Sequence, residues 1–347
     1  QKAMELIRMA AGSVRLAHPL ADNVFPVNKD VLVIGGGVAG MSSALSLADM
    51  GFKVYLTEKT GKLGGVAKNI HRNIEGDDVQ KFMNDLIDIV QRHPNIEVIT
   101  GSVVVDHSGI AGMFKTGLQI GPQMYYRAIN HGVTIVATGA LPNRPDEYLL
   151  GKNKAVVTQL DLDGIIETAP DKVKSWNSVA MIQCVGSRSP ENPNCSRICC
   201  QSTVKNAIRI KTINPDANVY VLYRDMRTPG FLEDYYSKAR AMGVIFARYE
   251  VDAKPIVEAE GDGIRIKFFD PILGRDVSAF VDCLALSTGL VADEEDTEEL
   301  GMIFHLPRTT DNYFLEEHVK LRPVDLPIPG FFVAGSAHAP KRIRDSI

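Results

Sequence analysis

The sequence is poor in cysteine and tryptophan, with five of the first and one of the second among 347 residues. Five cysteines in a chain of this length do not build a disulfide scaffold. No run reaches the roughly 18–20 apolar residues that a membrane-spanning helix needs, and no signal-peptide pattern stands at the front. A basic excess is missing too. Lys and Arg number 38 against 42 Asp and Glu, a net charge of −4, which argues against binding nucleic acid through a global basic surface. What is present is an ordinary globular composition, 45% hydrophobic and 23% charged, over a length that suits two domains. Four of the five cysteines crowd between positions 184 and 200. A first residue Gln1 and a stop at Ile347 suggest a piece of a longer protein.

Residues 1–17 space Met4, Ile7, Ala11 and Val14 like one helix face, closed by His18-Pro19. The simplest reading is a lead-in arm packed on the surface. Asp30–Ile34 reads as a buried strand running into Gly35-Gly36-Gly37-Val38-Ala39-Gly40, then a helix to Met50, Gly51 as its C-cap, and a second strand Lys53–Thr57 ending at Glu58. Asp77–Gln91 has the period of an amphipathic helix. Glycine-broken apolar runs from about Ile96 to Ala128 read as antiparallel strands. Val133–Thr138 is a strand ending at Gly139, and Pro and Gly thicken from Pro142 to Gly151. A second strand–helix–strand pattern starts at Ser178, with its helix expected from about Ser202 to Thr212. Later strands are Val281–Ser287, ending at Thr288-Gly289, and Phe331–Ala334, ending at Gly335-Ser336. No repeat of fixed short period is visible.

Gly35, Gly37 and Gly40 form G-x-G-x-x-G between a strand and a helix. The first permits a tight turn, the second admits a pyrophosphate close to the backbone, and the third lets helix and strand approach. The helix N-terminus offers free N–H groups to the phosphates. Glu58 closes the second strand, where an acid accepts hydrogen bonds from a ribose diol. Strand, turn, helix, strand and acid together point to dinucleotide binding.

Cys184, Cys195, Cys199 and Cys200 form C-x10-C-x3-C-C. Four thiolates suit a [4Fe–4S] cluster, one per iron. Zinc also takes four ligands, usually from paired C-x2-C knuckles, and unligated thiols remain a third reading. A disulfide between the vicinal pair would strain the backbone. Cys283, inside the apolar run FVDCLALSTG, reads as a core residue.

The order of glycine turn, Glu58, Gly64-Gly65 and TIVATGALPNRP resembles the two-dinucleotide-binding flavoproteins of the thioredoxin and glutathione reductase type. That resemblance implies an α/β fold of two Rossmann-like domains, the second inserted in the first. It makes the dinucleotide FAD, held by Gly35, Gly37, Val38, Ala39 and Gly40, with Glu58 and Lys59 after the second strand. Gly64, Gly65, Ala137, Thr138, Gly139, Gly335 and Ser336 complete the expected contacts. The family's returning strand usually ends in Gly-Asp, and here Ser336 stands in place of the Asp. The expected divisions are 1–29 for a helix and linker, 30–150 for the first part of the FAD domain, 151–289 for the inserted domain, and 290–347 for the truncated return.

The string QCVGSR…CSRICCQSTVKNA, with FPVNKDVLVIGGGVAGM at the front and AGSAHAPKRIRDSI at the end, resembles the A subunit of heterodisulfide reductase over essentially the whole chain. The resemblance implies a cytoplasmic flavo-iron-sulfur oxidoreductase that passes electrons between FAD and a [4Fe–4S] cluster to partner subunits. In some members the flavin is the proposed site of electron bifurcation. It implies that Cys184, Cys195, Cys199 and Cys200 hold the cluster in the inserted domain, and that Lys205 stands near the reactive edge of the flavin. A solvated helix lysine is the alternative for Lys205. Implied partners are the other subunits of such a complex, ferredoxin-type redox proteins and a second copy of the chain. The further ferredoxin-type cysteine motifs of many full-length members do not occur here. Two other functions stay in view: an NAD(P)H-dependent FAD oxidoreductase, and a structural module organising a redox complex. The first strand of the second Rossmann-like domain, SVAMIQCV, is followed by only one glycine of the turn, Gly186, so a nicotinamide cofactor is not expected there. Arg224 and Arg227 argue the other way.

Overall fold

A computed structural model describes residues 1–18 and 24–347. Pro19, the expected end of the first helix, lies outside the described residues. The architecture is α/β, built on two five-stranded parallel sheets. The first runs Phe331–Val333, Val133–Val136, Val31–Ile34, Val54–Glu58, Ile96–Thr100 in spatial order. Its central strand is buried on both faces, as its unbroken apolar sequence requires. Helices Val38–Asp49 and Val79–Arg92 cover one face through Met41, Ala44, Met83 and Val90. Asp78 caps the second of these by accepting the Lys81 N–H at 2.9 Å. A three-stranded antiparallel meander, Ser102–Ile110, Met113–Ile120 and Tyr125–His131, covers the other face, packing Phe114 and Leu118 on Leu32 and Phe331.

One expectation is corrected here. Ile96–Thr100 is a parallel edge strand, paired from Val54↔Ile96 to Glu58↔Thr100. It follows an amphipathic helix, so it completes a βαβ crossover, and the antiparallel run begins only at Ser102.

The second sheet repeats the plan: Ile245–Arg248, Asn218–Tyr223, Ser178–Ile182, Cys283–Leu286, Val156–Thr158, all parallel. It too carries a meander, Ile256–Glu260, Gly263–Asp270 and Arg275–Val281. The whole second sheet lies in sequence between two strands of the first, so it is an insertion. The chain leaves and returns along neighbouring segments, and Leu141–Pro142 pairs antiparallel with Leu290–Val291. The helix expected from Ser202 starts three residues earlier and spans Cys199–Ile213, placing two cysteines in its first turn.

The first helix spans Lys2–Leu16, as the spacing predicts, but none of its residues is buried. Val14 keeps 74% of its surface exposed, so the arm is not packed on the described residues. No described helix is long and apolar enough to cross a membrane.

Candidate functional site

A cavity of about 960 Å³ opens at the C-terminal edge of the first sheet and reaches the wall of the second unit. The glycine turn forms its floor. A Cβ on Gly40 would sit 1.8 Å from the Gly35 carbonyl oxygen, and one on Gly35 2.3 Å from that of Ala137. Both glycines are therefore demanded by close packing. Nothing lies within 4 Å of the Cβ position of Gly37, which is where a pyrophosphate would approach. Gly37 N-caps the Val38–Asp49 helix without a side-chain bond, so Val38 and Ala39 open a helix whose first N–H groups face the cavity region.

Glu58 is fixed from two sides. Its Oε2 accepts the Gly36 N–H at 2.8 Å, and its Oε1 accepts the N–H and hydroxyl of Thr60 at 2.8 Å. Gly64 and Gly65 line the same wall, and Gly64 donates to the Gly36 carbonyl at 2.8 Å. Thr138 and Gly139 lie opposite, and the Thr138 Oγ1 is buried with no hydrogen-bond partner. Gly335 packs behind, where a Cβ would meet that of Ala39 at 2.4 Å. Ser336 lines the cavity and accepts the Lys341 N–H at 3.4 Å. Lys59 also lines it, but its ammonium is bound to Asp293 at 3.0 Å and to Asp296, on the segment that opens the Glu294–Phe304 helix. Its charge is spent on those carboxylates. The open face of Gly37, the orphaned Thr138 hydroxyl and the fixed acid fit a dinucleotide.

Lys205 is not a solvated helix lysine. It is 8% exposed, lines the cavity, and donates to Asp163 Oδ1 at 2.7 Å and to the Arg72 carbonyl at 2.9 Å. Burial pulls it below the ordinary lysine value, and Asp163 pulls it back up. Asp163 also accepts from Arg209 at 2.7 Å and from the His71 N–H at 2.7 Å. Sequence reasoning missed Asp163, Arg72 and Lys341. The strings HRN and APKRIRD held the last two as ordinary basic residues, and nothing local marked Asp163.

Three of the four thiols have separate polar neighbours. Cys184 Sγ receives the Arg188 guanidinium at 3.9 Å, Cys195 Sγ the Arg197 N–H at 3.4 Å, and the Cys200 thiol faces the Asp225 carbonyl at 3.7 Å. Cys199 lines the large cavity. Burial raises the Cys184 and Cys199 thiols and pushes Cys200 up to about 11, with the neighbouring cysteines adding to the shift. Four thiolates gathered here would need a cation to offset that cost. The donor set suits an iron–sulfur cluster in kind. In geometry it is not closed: among the described residues no group of three or more His, Cys, Asp or Glu is arranged to hold a metal ion. Cys283 is 2% exposed within the second sheet, a core residue as expected.

The two sheets correspond position by position. The Gly35 N–H donates to Thr57, and the Gln183 N–H donates to Leu222 in the same way, at 2.8 and 2.9 Å. Gln183 therefore stands where Gly35 stands, and Thr288-Gly289 where Thr138-Gly139 stand. The helix follows at once in the first unit, at Val38, but only at Cys199 in the second. The cysteine-bearing loop thus replaces the phosphate turn. That turn is also filled: Glu147 Oε1 accepts the Gly186 N–H at 3.0 Å, and a Cβ on Gly186 would lie 2.8 Å from Pro145.

A family model described as FAD dependent oxidoreductase matches residues 30–126. The chain is 30% identical to the first of the iron-sulfur A subunits of CoB–CoM heterodisulfide reductase in Methanopyrus kandleri, covering all of this chain and 66% of that protein. It is 31% identical to the A subunit of the ferredoxin/F420H2-dependent CoB–CoM heterodisulfide reductase in Methanosarcina acetivorans, covering all of this chain and 55% of that one. The chain therefore spans less than two thirds of the length of these relatives. Among solved structures it is similar to thioredoxin reductase from T. acidophilum, with TM-score 0.61 at 14% identity over 92% of this chain and 94% of that one. Thioredoxin reductase from Lactococcus lactis gives 0.59 at 17% identity over the same shares. These likenesses show the fold, that of the thioredoxin reductases.

Proposed function

Because the chain belongs to the family of heterodisulfide reductase A subunits, we propose that it is the flavin-bearing electron-transfer portion of such an oxidoreductase. FAD, when bound, supplies two-electron and one-electron redox chemistry. The chain's own residues do the rest. Gly35, Gly37 and Gly40 admit the diphosphate at the Val38–Asp49 helix, Glu58 accepts the adenosine ribose hydroxyls, and Gly64, Gly65, Thr138, Gly139 and Ser336 bound the cavity. Lys205 presents a buried cation to the flavin. The single observation that carries the reading is the cavity floor, open at Gly37 and closed at Gly35 and Gly40.

We infer further that Cys184, Cys195, Cys199 and Cys200 hold a [4Fe–4S] cluster in the 151–289 unit. The support is the four-thiol donor set and the word iron-sulfur in the name of the Methanopyrus relative. Binding requires the 184–198 loop to gather the thiols more closely than they stand here. Electrons then leave to partner subunits or ferredoxin-type proteins in a cytoplasmic complex, with a homodimer of this chain and flavin-based bifurcation as parts of the same proposal.

Two measurements test it. Glu58→Ala should lower the flavin content of purified protein, and an unchanged visible flavin spectrum would refute the ribose assignment. Stopped-flow reduction by reduced ferredoxin should outpace reduction by NADH or NADPH, and the reverse order would favour a nucleotide oxidoreductase.

A further inference from the structure

The cavity wall holds several cations, and most are already committed to carboxylates. Lys59 binds Asp293 and Asp296, Arg72 lies 3.3 Å from Glu167, Lys205 binds Asp163, and Arg342 binds Asp345 at 2.7 Å. Lys341 differs. It is half-buried, and its ammonium donates to the Gly335 carbonyl at 3.1 Å and meets His338 Nδ1 at 3.0 Å. Neither partner is an anion. His338 in turn reaches Glu316 with its Nε2 at 2.9 Å. A neutral imidazole satisfies both contacts, donating from Nε2 to the carboxylate and accepting at Nδ1 from the ammonium.

Position adds the second part. Gly335 packs directly on Ala39, in the first turn of the helix that opens the cavity. Lys341 hangs on the Gly335 carbonyl and, through its own N–H, on the Ser336 hydroxyl. The ammonium is thus tied to Gly335, which packs on the first turn of the helix, and Lys341 lines the same cavity as Gly37. With a hydroxyl at 336, no negative side chain at that position competes for this cation.

We propose that Lys341 is a diphosphate-binding residue, its ammonium neutralising the anionic bridge of a dinucleotide at the start of the Val38–Asp49 helix. The inference rests on the FAD reading given above. His338 and Glu316 are positioning residues: they hold the ammonium without cancelling its charge. Burial draws Lys341 below the ordinary lysine value while Glu316 and Asp345 oppose the shift, and a bound diphosphate would add to that opposition.

The test is a calorimetric titration of flavin-free protein with FAD, with ADP and with adenosine. Lys341→Met should weaken FAD and ADP by about tenfold, the scale of one charge-assisted hydrogen bond, and leave adenosine unchanged. Lys341→Arg should retain most of the affinity, and His338→Ala should weaken FAD and ADP by less than Lys341→Met. Equal ADP affinity in wild type and a folded Lys341→Met would overturn the proposal, and so would a loss confined to FAD, which would put the lysine at the ring system instead. A wild-type chain that bound ADP and no FAD would refute the flavin reading, and the ADP titrations would still decide the role of Lys341.

Discussion

The ammonium of Lys205 and the carboxylate of Asp163 meet at 2.7 Å, with Asp163 1% exposed. Asp163 also binds Arg209 and the backbone of His71, so one carboxylate ties two helices of the inserted unit to the first unit. Removing it leaves two cations without that partner. Asp163→Ala should cost about 3–5 kcal/mol in urea unfolding, the scale for breaking a buried ion pair. Lys205→Met should cost less, since Asp163 keeps Arg209 and the His71 N–H. In a redox titration Lys205→Met should lower the flavin midpoint potential, because a nearby cation favours the more negative reduced form.

Anaerobically purified protein should carry about four irons per chain if the four thiols act together. Ser at Cys184, Cys195, Cys199 or Cys200 should each remove the cluster absorbance, while Cys283→Ser should spare it. Iron that survives loss of Cys199 and disappears with Cys283 would reverse the assignment.

His131 closes the third strand of the meander and is buried, with Nε2 on the Thr116 hydroxyl at 2.8 Å and Nδ1 on the Val133 carbonyl at 3.0 Å. Burial holds it down to about 4. The folded state therefore refuses a proton that the unfolded chain accepts below about 6.5. Its contribution is intact above that pH and is lost as pH falls from about 6.5 to 4, by about 3 kcal/mol at the lower limit. His107, also lowered chiefly by burial, acts in the same direction. Urea midpoints measured from pH 7 to 4.5 should fall more steeply in wild type than in His131→Asn.

NADH and NADPH should not bleach the flavin quickly at micromolar concentration, because Glu147 and Pro145 fill the turn where a pyrophosphate would sit in the second unit. Glu147→Ala would free the Gly186 N–H and remove a like charge, and any weak nucleotide binding should increase with it. Rapid, saturable bleaching of the wild type would refute this.

What the sequence makes legible follows from range. The Gly35–Gly40 turn and Glu58 are legible because a phosphate site is written in a few consecutive residues with fixed conformational demands. The cysteine string is equally local. Asp163 is not, since its partners lie 42 and 92 residues away and an acid on a helix has no signature of its own. Ile96–Thr100 departs from its expected antiparallel role because a short apolar run does not encode the direction of its neighbour; the crossover helix decides that. The two Rossmann-like units are legible as such, but their residue-by-residue correspondence is hidden for a related reason. Gln183 has replaced the first glycine and a loop has replaced the rest, so hydrogen-bond register preserves a correspondence that residue identity has lost.

The ribbon formed by Leu141–Pro142 and Leu290–Val291 makes the two ends of the insertion neighbours. For the first unit, everything between them is one closed loop, and closure entropy grows only with the logarithm of its length. Halving the insert would ease closure by only about 0.6 kcal/mol. The host sheet thus tolerates great variation in what it carries, provided the ribbon is kept. A short turn joining Pro142 to Leu290 would leave the first sheet's strand order unbroken.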